Sequence, residues 1–249
     1  MTEMMNSMEF KDIRKILSYT RRAVDVYSMI DDGDSIAVGL SGGKDSTVLL
    51  AALYSLKRFY PKKFTLSAVT VSMGFEGMDF SPMSRFCEEL GVPYKIVDTE
   101  LARLIFDIRK ETNPCSLCAK MRRGILHDAA KELGCNKVAL GHHFDDVIDT
   151  FMLNLFNEGR IGAFLPVTYL SRKEITMIRP FLYLPEKEIK RFISRNEVPT
   201  VKNLCPEDGH TEREKTHNLI AQLERENRGL KNRIFGAMEK GGVFKSNDE

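Results

Sequence analysis

The feature that most limits what this chain can be is Ser-Gly-Gly-Lys-Asp-Ser at 41–46, directly after the apolar run Ser35-Ile36-Ala37-Val38-Gly39-Leu40. A short β-strand pattern empties into two adjacent glycines and then into a helix-compatible run from Thr47 to Phe59. Gly42 and Gly43 reach backbone conformations closed to other residues and let a ligand approach the main chain closely. The amides that open the next helix are free, and the helix dipole favours an anion there. Ser41 and Ser46 add hydroxyl donors, Lys44 adds a positive charge, and Asp45 is a carboxylate suited to magnesium. The combination is that of a phosphate cradle.

Composition narrows the class. With 249 residues the chain fits one large α/β domain, or a domain plus a small appendage. Its 43% hydrophobic content suffices for a core, and 29% charge is ordinary for a soluble protein. Thirty-seven basic against 35 acidic residues leave a net charge of +2, so bulk charge announces no nucleic-acid partner. A local basic face is another matter. Lys11, Arg14, Lys15, Arg21 and Arg22 lie among apolar residues at roughly helical spacing over 9–30. RNA contact and an ordinary solvated helix surface explain that face equally well. No run of about eighteen apolar residues exists, so no membrane span is expected. Met1 to Glu9 lacks a basic-then-apolar leader pattern. The five cysteines, odd in number and uneven in spacing, read as thiols or metal ligands, and the expected location is cytoplasmic.

Strand and helix signals then alternate. Phe64–Val71 reads as a strand, Ser81–Leu90 as a helix, Tyr94–Val97 as a strand and Cys115–Leu133 as a helix stopped by Gly134. Lys137–Leu140 reads as a strand, Asp145–Asn157 as a helix and Ile175–Ile178 as one more strand, with a loop over Gly159–Pro166 between them. Pro185 opens a further helix, and the chain from Thr211 is charged and helical, ending in a frayed tail at Ser246–Glu249. Such alternation predicts an α/β fold, a parallel twisted sheet with helices on both faces. Ligands of such sheets sit beyond the carboxyl ends of the strands. The loops 41–46, 72–79 and 141–146 leave those ends, and the first and third carry the obvious chemistry.

A second constellation is Asn113-Pro114-Cys115-Ser116-Leu117-Cys118, two thiols three residues apart at a helix start. The helix N-terminus and Lys120, Arg122 and Arg123 are expected to lower the thiol pKa values. Alone the pair suits half a zinc site, a redox dithiol or part of a cluster. Cys205 sharpens it, because three thiolates on one [4Fe–4S] cluster leave one iron free for an exogenous sulfur. A zinc site would need a fourth ligand such as His142, His143 or His210. Cys87 and Cys135 read as small packing residues.

The third is Gly141-His142-His143-Phe144-Asp145-Asp146, between a strand and a helix that contains Asp149 and Thr150. Adjacent carboxylates at a helix N-terminus cap the helix, bind Mg²⁺ or act as a base, and capping alone would account for one of them.

Ser-Gly-Gly-x-Asp-Ser is not the Walker loop, nor Gly-x-Gly-x-x-Gly. It resembles the PP-loop of the ATP pyrophosphatase superfamily, whose members grip ATP, adenylate a substrate oxygen and release pyrophosphate. Leu40–Ser46, Cys115–Gly124, Gly141–Asp146 and Asn203–Cys205 together resemble the TtcA-like tRNA 2-thiocytidine synthetases, relatives of the TtuA and Ncs-type tRNA thiolases. The resemblance runs from about Asp34 to about Glu239. It implies an adenine nucleotide alpha hydrolase-like fold, with an N-terminal helical segment 1–33, a PP-loop domain 34–210 that holds the Fe–S site, and a C-terminal helical segment 211–249.

The same resemblance implies the site. ATP is held by Ser41, Gly42, Gly43, Lys44, Asp45 and Ser46, with Gly141, His142 and Asp145 beside it. Mg²⁺ falls to Asp45 and Asp146, and a [4Fe–4S] cluster to Cys115, Cys118 and Cys205, while Arg122 steadies phosphate charge. The implied reaction is sulfur transfer to C2 of cytidine 32 in tRNA. ATP adenylates the C2 oxygen, sulfur carried on the open iron attacks C2, and AMP leaves. The partners are tRNA and a sulfur donor, either sulfide or a cysteine desulfurase persulfide; no membrane is involved, and a homodimer is compatible. The zinc-ribbon cysteines of thiouridine-forming relatives are absent, which favours the cytidine branch. Competing readings are thiouridine formation, an Fe–S desulfidase acting on free thiopyrimidines, a lysidine-type ligase that leaves the cysteines unexplained, and a non-catalytic RNA-binding protein.

Overall fold

The computed structural model describes residues 8–109, 114–207, 209 and 211–245. Asn113, His210 and the tail Ser246–Glu249 lie outside the described residues. Six strands form one sheet: Asp34–Gly39 (β1), Phe64–Ser72 (β2), Tyr94–Asp98 (β3), Lys137–Ala139 (β4), Val167–Leu170 (β5) and Ile175–Ile178 (β6). Their order is β3-β2-β1-β4-β6-β5, and every neighbouring pair is parallel except β5 with β6. Among the described residues eight α-helices accompany it: Ile13–Val26 (α1), Lys44–Lys57 (α2), Ser81–Glu89 (α3), Pro114–Glu132 (α4), Phe144–Glu158 (α5), Glu186–Ile193 (α6), Glu212–Glu226 (α7) and Leu230–Lys240 (α8).

The period-two alternation of the strands explains the layers. Ile36, Val38, Leu66, Ala68, Ala139 and Ile178 face a core shared with α2, α3, α5 and α6. Ala37, Val69, Val138 and Ile175 face the other way, against Leu126, Ala129 and Ala130 of α4. Because both faces are covered, the central strands read as unbroken apolar runs. Helix α2 is buried along most of its length, from Ser46 through Leu53 and again at Leu56, so it shows no clean polar stripe. Ile16 of α1, Ile220 of α7, and Phe235 and Met238 of α8 join the same core as the sheet.

The sheet is mostly parallel with helices on both faces, as expected, and three local features were not foreseen. The sheet is not wholly parallel: Val167–Leu170 forms an antiparallel edge strand, hidden from the sequence reading behind the loop that precedes it. Arg103–Ile108 winds as a π-helical turn that no periodicity announced. Helix α1 is shorter than the apolar pattern over 9–30, because Met29 and Ile30 are buried as non-helical residues after the turn at Ser28, which adopts φ 47°.

Part of the basic face of α1 is spent within the fold. Lys15 pairs with Glu188 at 2.8 Å, Arg21 with Asp25 at 3.3 Å, and Arg22 lies 4.2 Å from the Tyr183 ring centroid. Arg14 instead lines a cleft of about 860 Å³ together with Arg58, Phe59 and Arg191.

Candidate active site

Parallel strands bring the loops after β1, β2 and β4 to one sheet edge. In the first loop Gly42 adopts φ +82°, a conformation that glycine holds without strain. Gly43 then caps α2 in extended geometry, and the Ser46 and Thr47 hydroxyls donate to its carbonyl at 2.9 and 3.1 Å. The Ser46 hydroxyl also accepts from the Ser41 amide at 3.1 Å and lies 3.0 Å from the Ser41 hydroxyl. The loop is thus closed on itself before any ligand arrives. Lys44 reaches Asp45 at 3.0 Å and Glu186 of α6 at 3.1 Å. Burial works against the Lys44 charge, but Asp45 and Glu186 outweigh it and leave the pKa raised. Burial likewise opposes the Glu186 charge, yet Lys190 and Lys44 bring its pKa down to about 2.

The loop after β4 is seated directly on this cradle. A Cβ at Gly141 would stand 3.0 Å from the Asp45 carbonyl carbon and from the Ser46 nitrogen, both backbone atoms. His143 caps α5: its Nδ1 accepts from the Asp146 amide at 3.3 Å, and its own amide donates to Asp146 Oδ2 at 3.0 Å. This is a capping box with an imidazole in the serine position. His143 Nε2 lies 3.7 Å from Asp45 Oδ1 and 3.5 Å from Asp146 Oδ2, between the two carboxylates. Asp45 Oδ1 is buried without a hydrogen-bond partner.

The adjacent aspartates part company here. Both oxygens of buried Asp145 are used inside the fold, Oδ1 by Lys231 at 2.6 Å and Oδ2 by the Glu186 amide at 2.8 Å. Asp146 lies 3.4 Å from Arg213, and although burial raises its pKa, His143 and Arg213 pull it below the ordinary value. His142 is half-buried with its ring 4.8 Å from that of Phe164, and its Nδ1 has no partner. Burial first, and Arg179 second, lower its pKa to about 3, so the ring is neutral at physiological pH. Glu186, Lys231, Arg213 and the pair His217–Asp149, 2.7 Å apart, complete this cluster. The sequence reading named none of these as site residues. They come from α5, α6, α7 and α8, and nothing in their spacing links them to the glycine loop.

Cys115 and Cys118 stand at the start of α4; Cys115 is exposed, Cys118 and Cys205 are half-buried, and all three are free thiols. Each of the pair on α4 feels Cys205 electrostatically, and Arg122 hydrogen-bonds Cys118. The expected lowering of the thiol pKa values is overturned. Burial raises Cys115, and Cys205, Glu207 and Cys118 raise it further. For Cys118 burial also outweighs Arg122. Burial is the larger cause for both, and nearby acidic groups add to it. Cys87 and Cys135 are buried in the core, with Cys87 pushed up to about 12 by burial.

The segment from Pro199 to Cys205, which brings the third thiol in, crosses the phosphate loop. The Val201 amide donates to the Gly42 carbonyl at 2.8 Å, and a Cβ on Gly42 would stand 2.8 Å from that of Val201.

A family profile described as a PP-loop domain matches residues 12–223. A tRNA-cytidine(32) 2-sulfurtransferase of Syntrophotalea carbinolica is 37% identical over 237 residues, covering 94% of this chain and 92% of that protein. One from Geobacter sulfurreducens is 38% identical over 237 residues, covering 93% and 92%. The chain belongs to the tRNA-cytidine 2-sulfurtransferase family of PP-loop enzymes. Among solved structures, the U34-tRNA thiolase NcsA of Methanococcus maripaludis with its [4Fe–4S] cluster superposes at TM-score 0.75, with 28% identity over 94% of this chain and 80% of that one. An NH3-dependent NAD synthetase of Campylobacter jejuni, 17% identical with TM-score 0.51 over 96% of this chain and 98% of that one, shares the fold.

Within this PP-loop family member, Cys115, Cys118 and Cys205 are soft donors of the kind that iron–sulfur clusters and zinc both take. Among the described residues no group of three His, Cys, Asp or Glu side chains is arranged to hold a single metal ion. Each of the pair on α4 lies within the electrostatic reach of Cys205, and Arg122 hydrogen-bonds Cys118.

Proposed function

We propose that this chain is an ATP-dependent, [4Fe–4S]-dependent tRNA sulfurtransferase that converts cytidine 32 to 2-thiocytidine. The observation that supports the reading is the crossing of the phosphate loop, at Val201 and Gly42, by the segment that leads to Cys205. The names of the relatives supply the substrate.

The geometry supports the following roles. The amides that open α2, the Ser41 hydroxyl and Lys44 hold the ATP phosphates, a positively biased helix start facing a polyanion. Phosphate competes with Glu186 for Lys44, so nucleotide binding frees a carboxylate that is already ionised. Asp45, with one oxygen unpartnered, is the Mg²⁺ ligand, and Asp146 across His143 is the second candidate. Asp145 keeps the start of α5 aligned with α6 and α8, and His142 contributes a neutral face beside Phe164. The C2 oxygen attacks the α-phosphorus of ATP and pyrophosphate leaves; sulfur then replaces that oxygen at C2 and AMP leaves. Cys115, Cys118 and Cys205 hold the cluster, and Arg122 steadies charge at Cys118 and on phosphate. A cluster held by three protein thiolates supplies an iron open to an exogenous sulfur.

The test is reconstitution. Protein purified without oxygen is expected to carry iron and acid-labile sulfide, and to form 2-thiocytidine in tRNA with ATP and sulfide. A colourless, zinc-loaded protein would sink the cluster. 2-Thiouridine in place of 2-thiocytidine would move the substrate to the branch represented by NcsA.

A further inference from the structure

The connection from α6 to α7 runs from Ser194 to Thr211, and its described residues contain no regular secondary structure. Connections of that length inside a compact domain are uncommon and usually functional. This one is anchored at particular points. Val198 is buried, Val201 is fixed to Gly42, and Leu204 Cδ1 stands 3.9 Å from where a Gly77 Cβ would be. Cys205 follows four residues after Val201.

The Val201 contact leaves no slack. Gly42 holds a positive φ and its carbonyl accepts from the Val201 amide at 2.8 Å, while the Val201 side chain fills the space a Gly42 side chain would need. The next amides belong to Gly43 and the start of α2, the groups that face a phosphate. A polyphosphate that draws those amides together turns the peptide between Gly42 and Gly43. The hydrogen bond carries that rotation into the Cys205 segment, since close-packed contacts shift together and do not deform freely.

We infer that Val201 is a positioning residue that couples the nucleotide loop to the third thiol, so that nucleotide at the PP-loop sets the accessibility of Cys205. The inference rests on the reading of an ATP-using sulfurtransferase given above. Coupling of this kind is reciprocal: whatever holds Cys205 in place also alters nucleotide affinity, by the same factor.

The experiment uses the full chain, freed of metal and kept reduced. Alkylation by iodoacetamide is followed site by site by peptide mass spectrometry, with and without Mg²⁺ and a non-hydrolysable ATP analogue. Binding of the analogue is measured separately by calorimetry. The expected result is a change of about fivefold or more in the Cys205 rate, with Cys115 and Cys118 changing less than about twofold. V201P, which lacks the amide, is expected to bind the analogue yet lose that dependence, whereas V201A, which keeps the amide, retains it. Analogue binding with an unchanged Cys205 rate overturns the coupling and leaves the enzymatic reading standing. Equal protection of all three thiols overturns it too, because shielding by the nucleotide then suffices. No analogue binding overturns both. The wild-type comparison needs no variant, so a V201P chain that fails to fold does not remove the test.

Discussion

Asp145 and Asp146 are identical side chains on consecutive residues, and their surroundings give them different work. Asp145 is buried, with Lys231 on one oxygen and the Glu186 amide on the other. Asp145→Ala would leave an ammonium that is only 15% exposed without its partner. Breaking such a pair costs about 3–5 kcal/mol, because the remaining charge stays desolvated. For a chain of this size that corresponds to a fall in Tm of roughly 6–20 °C, and differential scanning calorimetry should find it there. A variant whose Tm stays within 2 °C of wild type, taking 2 °C as roughly the shift from 1 kcal/mol, would refute the fold-holding role of Asp145. Asp45 presents the opposite case, since its buried Oδ1 accepts no hydrogen bond from the protein.

At the level of elements, α7 is held to α5 by charge as well as by packing. Arg213 donates to the Asp146 carbonyl at 3.1 Å and to the Thr150 hydroxyl at 2.9 Å, while His217 meets Asp149 at 2.7 Å. The Asp149 hydrogen bond raises the His217 pKa above 6.5, against burial and Lys231. A raised folded pKa means that protonated His217 favours the native state. That contribution is complete below pH 6.5 and is lost as pH climbs through the folded value. The urea midpoint of the wild type should therefore fall between pH 6 and pH 9, and that fall should be smaller in His217→Gln. Identical pH profiles would remove His217 from the account.

The elements also show what a sequence can and cannot reveal. The glycine loop, the parallel strands and the thiol positions were legible because each has a local signature: backbone freedom at Gly42, unbroken apolar runs, a Cys-x-x-Cys at a helix start. The antiparallel β5 was not, since four residues beside a long loop carry too little periodicity to separate strand from coil. The rise in the Cys115 pKa was not legible either. Helix dipole and arginines are local and can be read from the chain, whereas burial, the largest cause, and repulsion from Cys205 and Glu207, some ninety residues away, exist only in the fold. For the same reason His217, Arg213 and Lys231 went unseen, their partners being fixed only when the C-terminal helices return to α5.

For the whole molecule, the two C-terminal helices complete the core and the site together. Ile220, Phe235 and Met238 are buried at 0, 5 and 1% exposure in the main core, and Lys231 and His217 supply partners to two buried carboxylates. A chain cut after Gly209 loses both contributions. It should be recovered as an aggregating species or one with no cooperative melting transition, as followed by circular dichroism. A truncated protein that melts within a few degrees of the full chain would show that α7 and α8 are dispensable. Among the described residues no helix is long and apolar enough to cross a membrane.

Gly141 rests with no room to spare against the backbone of Asp45 and Ser46, and Gly42 against Val201. A residue inserted in any one of these three segments displaces the other two. Descendants of such a chain can therefore change length only outside these three segments. A family history built this way would leave the ATP-handling end uniform and record each change of substrate in the outlying loops.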